Sequence, residues 1–123
     1  MQFDKDLISI HAELFLEIRD LLKDCIGEDV KEKYSENITS LHSKEGGFCY
    51  LRTYDTYVHI GWFRGSHIED THGFLFGNGK TIRGQKIQKL DEKTKESIKY
   101  YVQETLYFLI EHNEIVKMKR KRR

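Results

Sequence analysis

The chain has 123 residues, of which 38% are hydrophobic and 33% charged, and its formal net charge at pH 7 is +1. This length predicts a single domain with a core of its own. No segment approaches the roughly 18 consecutive apolar residues of a membrane-spanning helix, so the composition argues against an integral helical membrane protein.

The amino-terminal segment and the cysteines indicate a cytoplasmic protein. The first ten residues, MQFDKDLISI, contain acidic residues and lack the basic and apolar regions of a signal peptide. Cys25 and Cys49 are far apart and form no CxxC pair, which argues against a zinc site or a disulfide framework.

Positive charge is concentrated at the carboxyl terminus. Residues 117–123, KMKRKRR, hold six of the 21 Lys and Arg residues, which leaves 15 against 20 Asp and Glu in residues 1–116, a net charge of −5. We therefore expect a domain over residues 1–116 and a basic, flexible tail over 117–123. A weak nucleic-acid-binding arm is the alternative, because six cations can contact phosphates without reading sequence.

The first predicted element is a helix from Asp4 to about Ile26, ended by Gly27, because its apolar residues recur at helical spacing. A projection at 100° per residue places five carboxylates in one stripe opposite the apolar face. These residues are Asp6, Glu13, Glu17, Asp20 and Asp24. Like charges three or four residues apart cost a few tenths of a kcal/mol each. The stripe is either a solvated face or a surface for a hard cation such as iron.

The middle of the chain predicts an antiparallel meander. A short stretch with helical character, EDVKEKYSE, precedes extended segments at about 37–43, 48–54 and 57–64, and KTIRGQKIQKL is extended again. A second long helix follows, with Asp91 or Thr94 as its N-cap. Two helices that bracket a meander predict an α+β fold, a two-layer sandwich.

The central hairpin predicts an unusual sheet face. A two-residue turn at Asp55 and Thr56 places an aromatic and basic row on one side of the hairpin. This row comprises Tyr50, Arg52, Tyr54, Tyr57 and His59. The other side is aliphatic with Trp62 and is the better core candidate. The aromatic side is then covered by the loop at 65–76 or by a second copy of the chain, or it is open as a ligand or partner site.

The stretch GFLFGNGKTIRG, residues 73–84, resembles the end of a phosphate-binding P-loop at first sight. The motif G-x-x-x-x-G-K-[ST] requires glycine at position 74, where this chain has Phe74. A P-loop also opens a helix, and no helical periodicity follows Thr81. The sequence therefore excludes a P-loop here.

We interpret the glycines at 77 and 79 as a turn that leads into a strand. Three basic residues follow this turn: Lys80, Arg83 and Lys86. They either pair with nearby acids and fix the turn, or line an anion site beside the aromatic face. The loop HIEDTH, residues 67–72, has metal-ligand residue types but is an ordinary polar loop by composition. No nucleophile elbow, HExxH or Ser/His/Asp signature is present, so we expect no enzyme.

At this point the sequence carries a family resemblance. FCYLRTYDTYVHIGWFRG followed by GFLFGNGKTIRGQKI is similar to the pattern of YdhG-like proteins, a bacterial domain family of unknown function. That pattern has an aromatic hairpin ending in GFFRG, then LLxGxGKxxRHIK, then a helix. The likeness extends from about Ala12 to Phe108. The chain departs from the pattern at Gly84, where the family has histidine, and at Gln85, an apolar position.

The resemblance implies a frataxin-related sandwich, and some family members are described as iron chaperones. In frataxin-type proteins iron is associated with acidic residues of the first helix. The matching positions are Glu13, Glu17, Asp20 and Asp24, with Asp6 aligned less surely.

Two functional hypotheses follow. The first is an iron-binding or iron-delivery protein that uses the acidic first helix, with no cofactor otherwise required. The second is a non-enzymatic binding module whose aromatic and basic sheet face holds a small anionic ligand, a protein partner or a second copy of the chain. We expect no membrane contact, and nucleic acid only through the basic tail.

Overall fold

The computed structural model describes residues 1–27 and 29–121. Its helices are α1 (Gln2–Leu7), α2 (Ala12–Ile26) and α3 (Glu92–Lys121). Its strands are β1 (Lys31–Tyr34), β2 (Thr39–Ser43), β3 (Gly46–Thr53), β4 (Val58–Trp62) and β5 (Arg83–Ile87). A 3-10 turn at Gly65–His67 follows β4. The predicted α+β arrangement is confirmed.

The five strands form one antiparallel sheet in the order β1-β2-β3-β4-β5, so the predicted meander is correct. In the β3–β4 hairpin, Tyr50 lies opposite Gly61, and Arg52 lies opposite His59. The intervening residues Leu51 and Ile60 face each other on the other side of the hairpin. The predicted hairpin register is therefore confirmed.

Helices α2 and α3 pack on the aliphatic side of the sheet. Each layer contributes fully buried side chains to the shared core: Phe15, Ile18 and Leu22 from α2, Leu51, Ile60 and Trp62 from the sheet, and Ile98 and Tyr101 from α3. Burial of one such side chain contributes about 1.5–3 kcal/mol. The core therefore lies on the aliphatic face, as predicted.

Two predicted helix ends are confirmed, the carboxyl end of α2 and the amino end of α3. Gly27 ends α2 in the left-handed conformation, with φ of 69°. The Asp91 carboxylate accepts a hydrogen bond from the Thr94 amide at 2.9 Å at the start of α3. None of the helices within the described residues is long and apolar enough to cross a membrane.

The prediction of one helix from Asp4 to Ile26 is wrong, because the chain forms two helices in this region. Asp6 lies in the first of them and faces inward. Its Oδ1 accepts hydrogen bonds from Gln2 Nε2 at 2.8 Å, from the Thr53 amide at 3.0 Å and from Thr53 Oγ1 at 2.7 Å. Asp6 is fully buried. The chain turns at residues 8–11, between α1 and α2, so Asp6 lies apart from the other four carboxylates of the predicted stripe.

The stretch after α2, for which the sequence suggested helical character, contains strand β1. Glu32 points toward α2, where its Oε1 lies 2.6 Å from Arg19 Nη2 and also pairs with Lys23 Nζ. Its side chain is only 6% exposed. Lys31 and Lys33, on either side of Glu32, therefore lie on the opposite, open face of the sheet.

The described part of the carboxyl-terminal tail is helical. Helix α3 continues to Lys121, so residues 117–121 form its exposed end. Residues 122 and 123 of the predicted tail lie outside the described residues.

Both edges of the sheet are protected from pairing with another strand. Phe76 and Gly84 exchange two backbone hydrogen bonds of 3.0 and 2.9 Å, which cover the outer edge of β5. The outer strand β1 has only four residues and carries exposed lysines. Short, charged or covered edges resist association between sheets.

Candidate functional site: the open sheet face

The open sheet face is the side of the sheet opposite α2 and α3. The predicted aromatic row lies here: Tyr50 and Arg52 project from β3 and His59 from β4, with Tyr54 and Tyr57 at the turn between the two strands. Lys86 of β5 joins them, since it lies directly opposite His59 in the sheet.

Lys80 and Arg83, the other two predicted basic residues, take part in the turn that precedes β5. Arg83 Nη1 donates hydrogen bonds to the carbonyl oxygens of Gly79 and Ile82, the latter at 2.9 Å. The carbonyl of Lys80 accepts a bond of 2.7 Å from Ser66 Oγ. Arg83 thus contacts the turn, as in the first alternative weighed from the sequence, but through backbone carbonyl oxygens and not through the acidic side chains expected there.

Two glycines set how closely the rings lie on the sheet. A Cβ at Gly61 would lie 1.9 Å from the nearest carbon of the Tyr50 ring. A Cβ at Gly84 would lie 2.6 Å from His59 Cε1 and 2.7 Å from Phe76 Cζ. The rings of these three residues therefore lie directly against the glycine backbone. Gly84, one of the departures from the YdhG-like pattern, is accounted for by this packing.

Gln85, the other departure, is a buried hydrogen-bonding residue. Its Oε1 accepts a bond of 3.1 Å from Trp62 Nε1, and its Nε2 donates one of 2.9 Å to Ser97 Oγ. A buried indole N–H needs an acceptor, which an apolar residue at position 85 would not supply.

The aromatic rings of the open sheet face form a connected group. The rings of Tyr54 and Tyr57 stack, with their centroids 5.1 Å apart and an angle of 22° between their planes. His59 lies 5.5 Å from Tyr50 and 5.8 Å from Phe76, measured between ring centroids. Phe76 was not among the predicted site residues, because the path of its loop is not visible in the sequence.

Cations lie against these rings. The Arg52 guanidinium carbon is 5.0 Å from the centroid of Tyr54. Lys86 Nζ is 5.1 Å from the centroid of Tyr57 and also 5.1 Å from that of Phe76. Contacts at this distance are cation–π interactions, each contributing roughly 0.5–1 kcal/mol at exposed sites.

Strand β1 extends the positive charge to the other edge of the sheet. Lys33 pairs with Ser40, which in turn pairs with Tyr50, so these three residues form a row across the open sheet face. Lys31 pairs with His42 on the same face. Sequence reasoning missed both lysines, because β1 was not predicted as a strand.

The strand residues described on the open sheet face include no Asp or Glu. Its cations also lack carboxylate partners: within residues 1–27 and 29–121, no ion pair involves Lys31, Lys33, Arg52 or Lys86. By contrast, Arg19 and Lys23 share Glu32 on the helical side of the sheet. The open sheet face therefore carries uncompensated positive charge on a domain that is acidic as a whole.

The pKa values of two histidines on this face, His59 and His42, are lowered by burial and by the nearby cations. Burial lowers the pKa of His59, and the positive charges of Lys86 and Arg52 lower it further. Burial and the charge of Lys33 lower the pKa of His42 in the same way. Both imidazoles are therefore neutral at pH 7.

The acidic stripe of α2 lies on the other layer of the protein. Glu13, Glu17, Asp20 and Asp24 are all exposed. The last three line a cavity of about 510 Å³ together with Lys95 and Lys99 of α3.

Within the described part of the chain, no three His, Cys, Asp or Glu side chains are grouped closely enough to hold a metal ion. Glu17, Asp20 and Asp24 share their cavity with the two lysines, and Glu13 lies outside its lining. Asp6, the fifth predicted ligand, is buried against β3.

The polar loop at 67–72 has a structural role. Asp70 accepts hydrogen bonds from the Tyr101 hydroxyl, from the Gly73 amide at 2.9 Å and from the Leu75 amide at 3.0 Å. The His67 ring stacks on Phe108 with centroids 4.6 Å apart. These contacts attach the loop to α3.

Comparison of the chain with models of protein families, with curated proteins and with solved structures found no match. The resemblance to YdhG-like proteins stays a prediction, and the functional argument rests on the residues of this chain.

Proposed function

We propose that the protein is a non-enzymatic binding module whose open sheet face holds an anionic ligand with a planar ring. The observation that carries the proposal is the uncompensated positive charge of Arg52 and Lys86 beside exposed aromatic rings. Cations without carboxylate partners attract an anion, and a ring on the sheet offers a surface for stacking.

The hydrogen-bonding state of Arg52 supports the proposal. Its Nε is buried and has no hydrogen-bond partner among the described residues, and its Nη1 makes one long bond of 3.4 Å to the Asn37 carbonyl. A guanidinium has five N–H donors, so Arg52 retains capacity to bind a phosphate or carboxylate.

A thermal-shift measurement tests the proposal with AMP, UMP and pyrophosphate as probes. We expect stabilisation of the wild type by at least one nucleotide, and loss of that stabilisation in Arg52→Ala and Lys86→Ala. Lys99→Ala is the matched control, because it removes the same charge at the α2–α3 cavity. Lys80→Ala tests whether the turn contributes. Equal ligand stabilisation in wild type and Lys86→Ala would contradict the proposal.

Iron binding by α2 is the second proposal, motivated by the exposed carboxylates of Glu17, Asp20 and Asp24 at one cavity. Carboxylate oxygens are ligands that iron accepts, and Lys95 and Lys99 line the same cavity. Calorimetric titration of Fe(II), with NMR line broadening, is expected to map to α2. Unchanged iron affinity after replacement of Glu13, Glu17, Asp20 and Asp24 by Ala would exclude this proposal.

A protein partner or a second copy is the remaining alternative for the open sheet face. Ile8 and Ile10, in the turn between α1 and α2, are 86% and 88% exposed and line a cavity with Tyr54 and Asp55. Such apolar residues at the rim favour a protein contact. Light scattering over a range of concentrations tests whether a second copy binds, since a dimer would form as the concentration rises.

A further inference from the structure

The cations of the open sheet face extend across the whole sheet. Lys33 lies in β1 and Lys86 in β5, at opposite edges. Neighbouring strands are about 4.8 Å apart, so four intervals separate these residues by roughly 19 Å. A mononucleotide carries its phosphate at one end and cannot reach both edges, whereas a chain of several nucleotides can.

We propose that the open sheet face binds single-stranded nucleic acid, with phosphates on the cations and bases against the exposed rings. This inference rests on the function proposed above and specifies its ligand. From the sequence, we expected nucleic acid to contact only the basic tail. The open sheet face is inferred instead because the lysines of β1, which was not predicted as a strand, add positive charge to it.

The rings are placed to receive bases. Tyr54 and Phe76 are 41% and 42% exposed, and they lie at the two ends of the group formed by Tyr57, His59 and Lys86. Proteins that bind single strands without strong sequence preference combine a positive surface with aromatic side chains on which successive bases stack. A sheet that carries such rings is one established form of this surface.

An unpaired strand fits this face better than a duplex. Bases in a duplex are stacked on one another and paired, so their flat sides are inaccessible to Tyr54 and Phe76. The rings contribute to binding only when bases are free to leave their own stack. The face is therefore expected to discriminate single strands from duplexes of the same sequence.

The test is fluorescence anisotropy of a fluorescein-labelled 12-nucleotide oligo-dT at several salt concentrations. We expect the logarithm of the binding constant to fall linearly with the logarithm of the salt concentration, with a slope of about −0.7 for each phosphate contacted. For the four cations Lys31, Lys33, Arg52 and Lys86, the slope is roughly −2 to −3. Lys33→Ala and Lys86→Ala should each reduce this slope by about 0.7. Both side chains are exposed, so neither change disturbs the core.

The aromatic contribution is measured separately. Tyr54→Ala and Phe76→Ala should each weaken binding roughly tenfold without changing the salt slope. Lys99→Ala and a chain ended after Val116 are the controls, and both should bind oligo-dT as the wild type does. Loss of binding in the shortened chain would assign it to the tail and overturn the proposal.

Two further probes separate this inference from the proposed function. If dTMP binds as tightly as the 12-mer and Lys86→Ala abolishes that binding, the polymer is excluded while an anionic ligand site remains. Equal binding of a 12-base-pair duplex would also exclude the single-strand inference. If neither dTMP nor the 12-mer binds, and no probe of the thermal-shift series stabilises the protein, both proposals fall.

Discussion

Gly61 shows how a single residue shapes the open sheet face. Because a Cβ at this position would overlap the Tyr50 ring at 1.9 Å, Gly61→Ala must displace that ring or the backbone. We expect a loss of about 1–3 kcal/mol in the free energy of unfolding, measured by urea denaturation. Gly79→Ala is the matched control, since the nearest atom would lie 3.6 Å from its Cβ and its φ is not positive. Equal losses in the two variants would contradict the assigned packing.

His59 links the positive charge of the face to a pH dependence. Its pKa is lower in the folded protein than the ordinary value of 6.5, so below pH 6.5 the unfolded chain binds the proton first. Stability should therefore be unaffected by His59 above this pH and should fall as the pH decreases toward 5. His59→Gln is expected to reduce this loss, as measured by urea denaturation at pH 7.5 and 5.5. His112→Gln, at an exposed histidine, serves as the control. It should lose as much stability between pH 7.5 and 5.5 as the wild type does.

The residues of the site differ in how far the sequence could predict them. The Asp55–Thr56 turn determines the hairpin register, so local information was enough to place Tyr50, Arg52 and His59 on one face. Asp6 could not be predicted, because its partner Thr53 is 47 residues away in the chain. Phe76 enters the site through an isolated pairing with Gly84, which no local pattern indicates.

At the scale of elements, Glu32 connects β1 to α2. Glu32→Ala removes a nearly buried carboxylate and leaves Arg19 and Lys23 without their shared partner. Breaking a fully buried pair costs about 3–5 kcal/mol, and we expect about 2 kcal/mol here because both cations are partly exposed. Urea denaturation measures the loss. Glu36→Ala, at an exposed position after β1, should change the free energy of unfolding by less than about 0.5 kcal/mol.

The elements that the sequence predicted correctly include those with a strong apolar period. Helices α2 and α3 and strands β3 and β4 bury one side each, and their periodicity shows it. Strand β1 has no such pattern, since KEKY is charged and only pairing with β2 makes it extended.

For the molecule as a whole, the acidic stripe of α2 and the basic open sheet face lie on different layers. The exposed carboxylates of α2 lie on the helical layer, whereas Lys33 and Lys86 lie on the open sheet face. Residues 1–116 have a net charge of −5, and yet we expect this shortened chain to bind a heparin column at low salt. The reason is that a local positive surface attracts a polyanion regardless of the total charge. Replacement of Lys33 and Lys86 by Ser should lower the salt concentration of elution, and an unchanged elution would contradict the separation of charge.

The overall architecture was predictable because helix, meander and helix leave few ways to bury two apolar helix faces. The charge distribution could not be predicted, since it depends on β1 and on which side of the sheet the helices cover. The sequence thus indicated the fold and part of the site, while the extent of the basic surface required the three-dimensional arrangement.

The pairing of Phe76 with Gly84 joins the site to the outer edge of the sheet. The backbone of Phe76 occupies the outer edge of β5, and its ring lies against His59 and Lys86. If this loop detaches, the edge of β5 becomes a template for a strand of another molecule. A ligand that holds the Phe76 ring therefore also keeps this edge closed, so that an occupied molecule should persist longer in concentrated solution than an empty one.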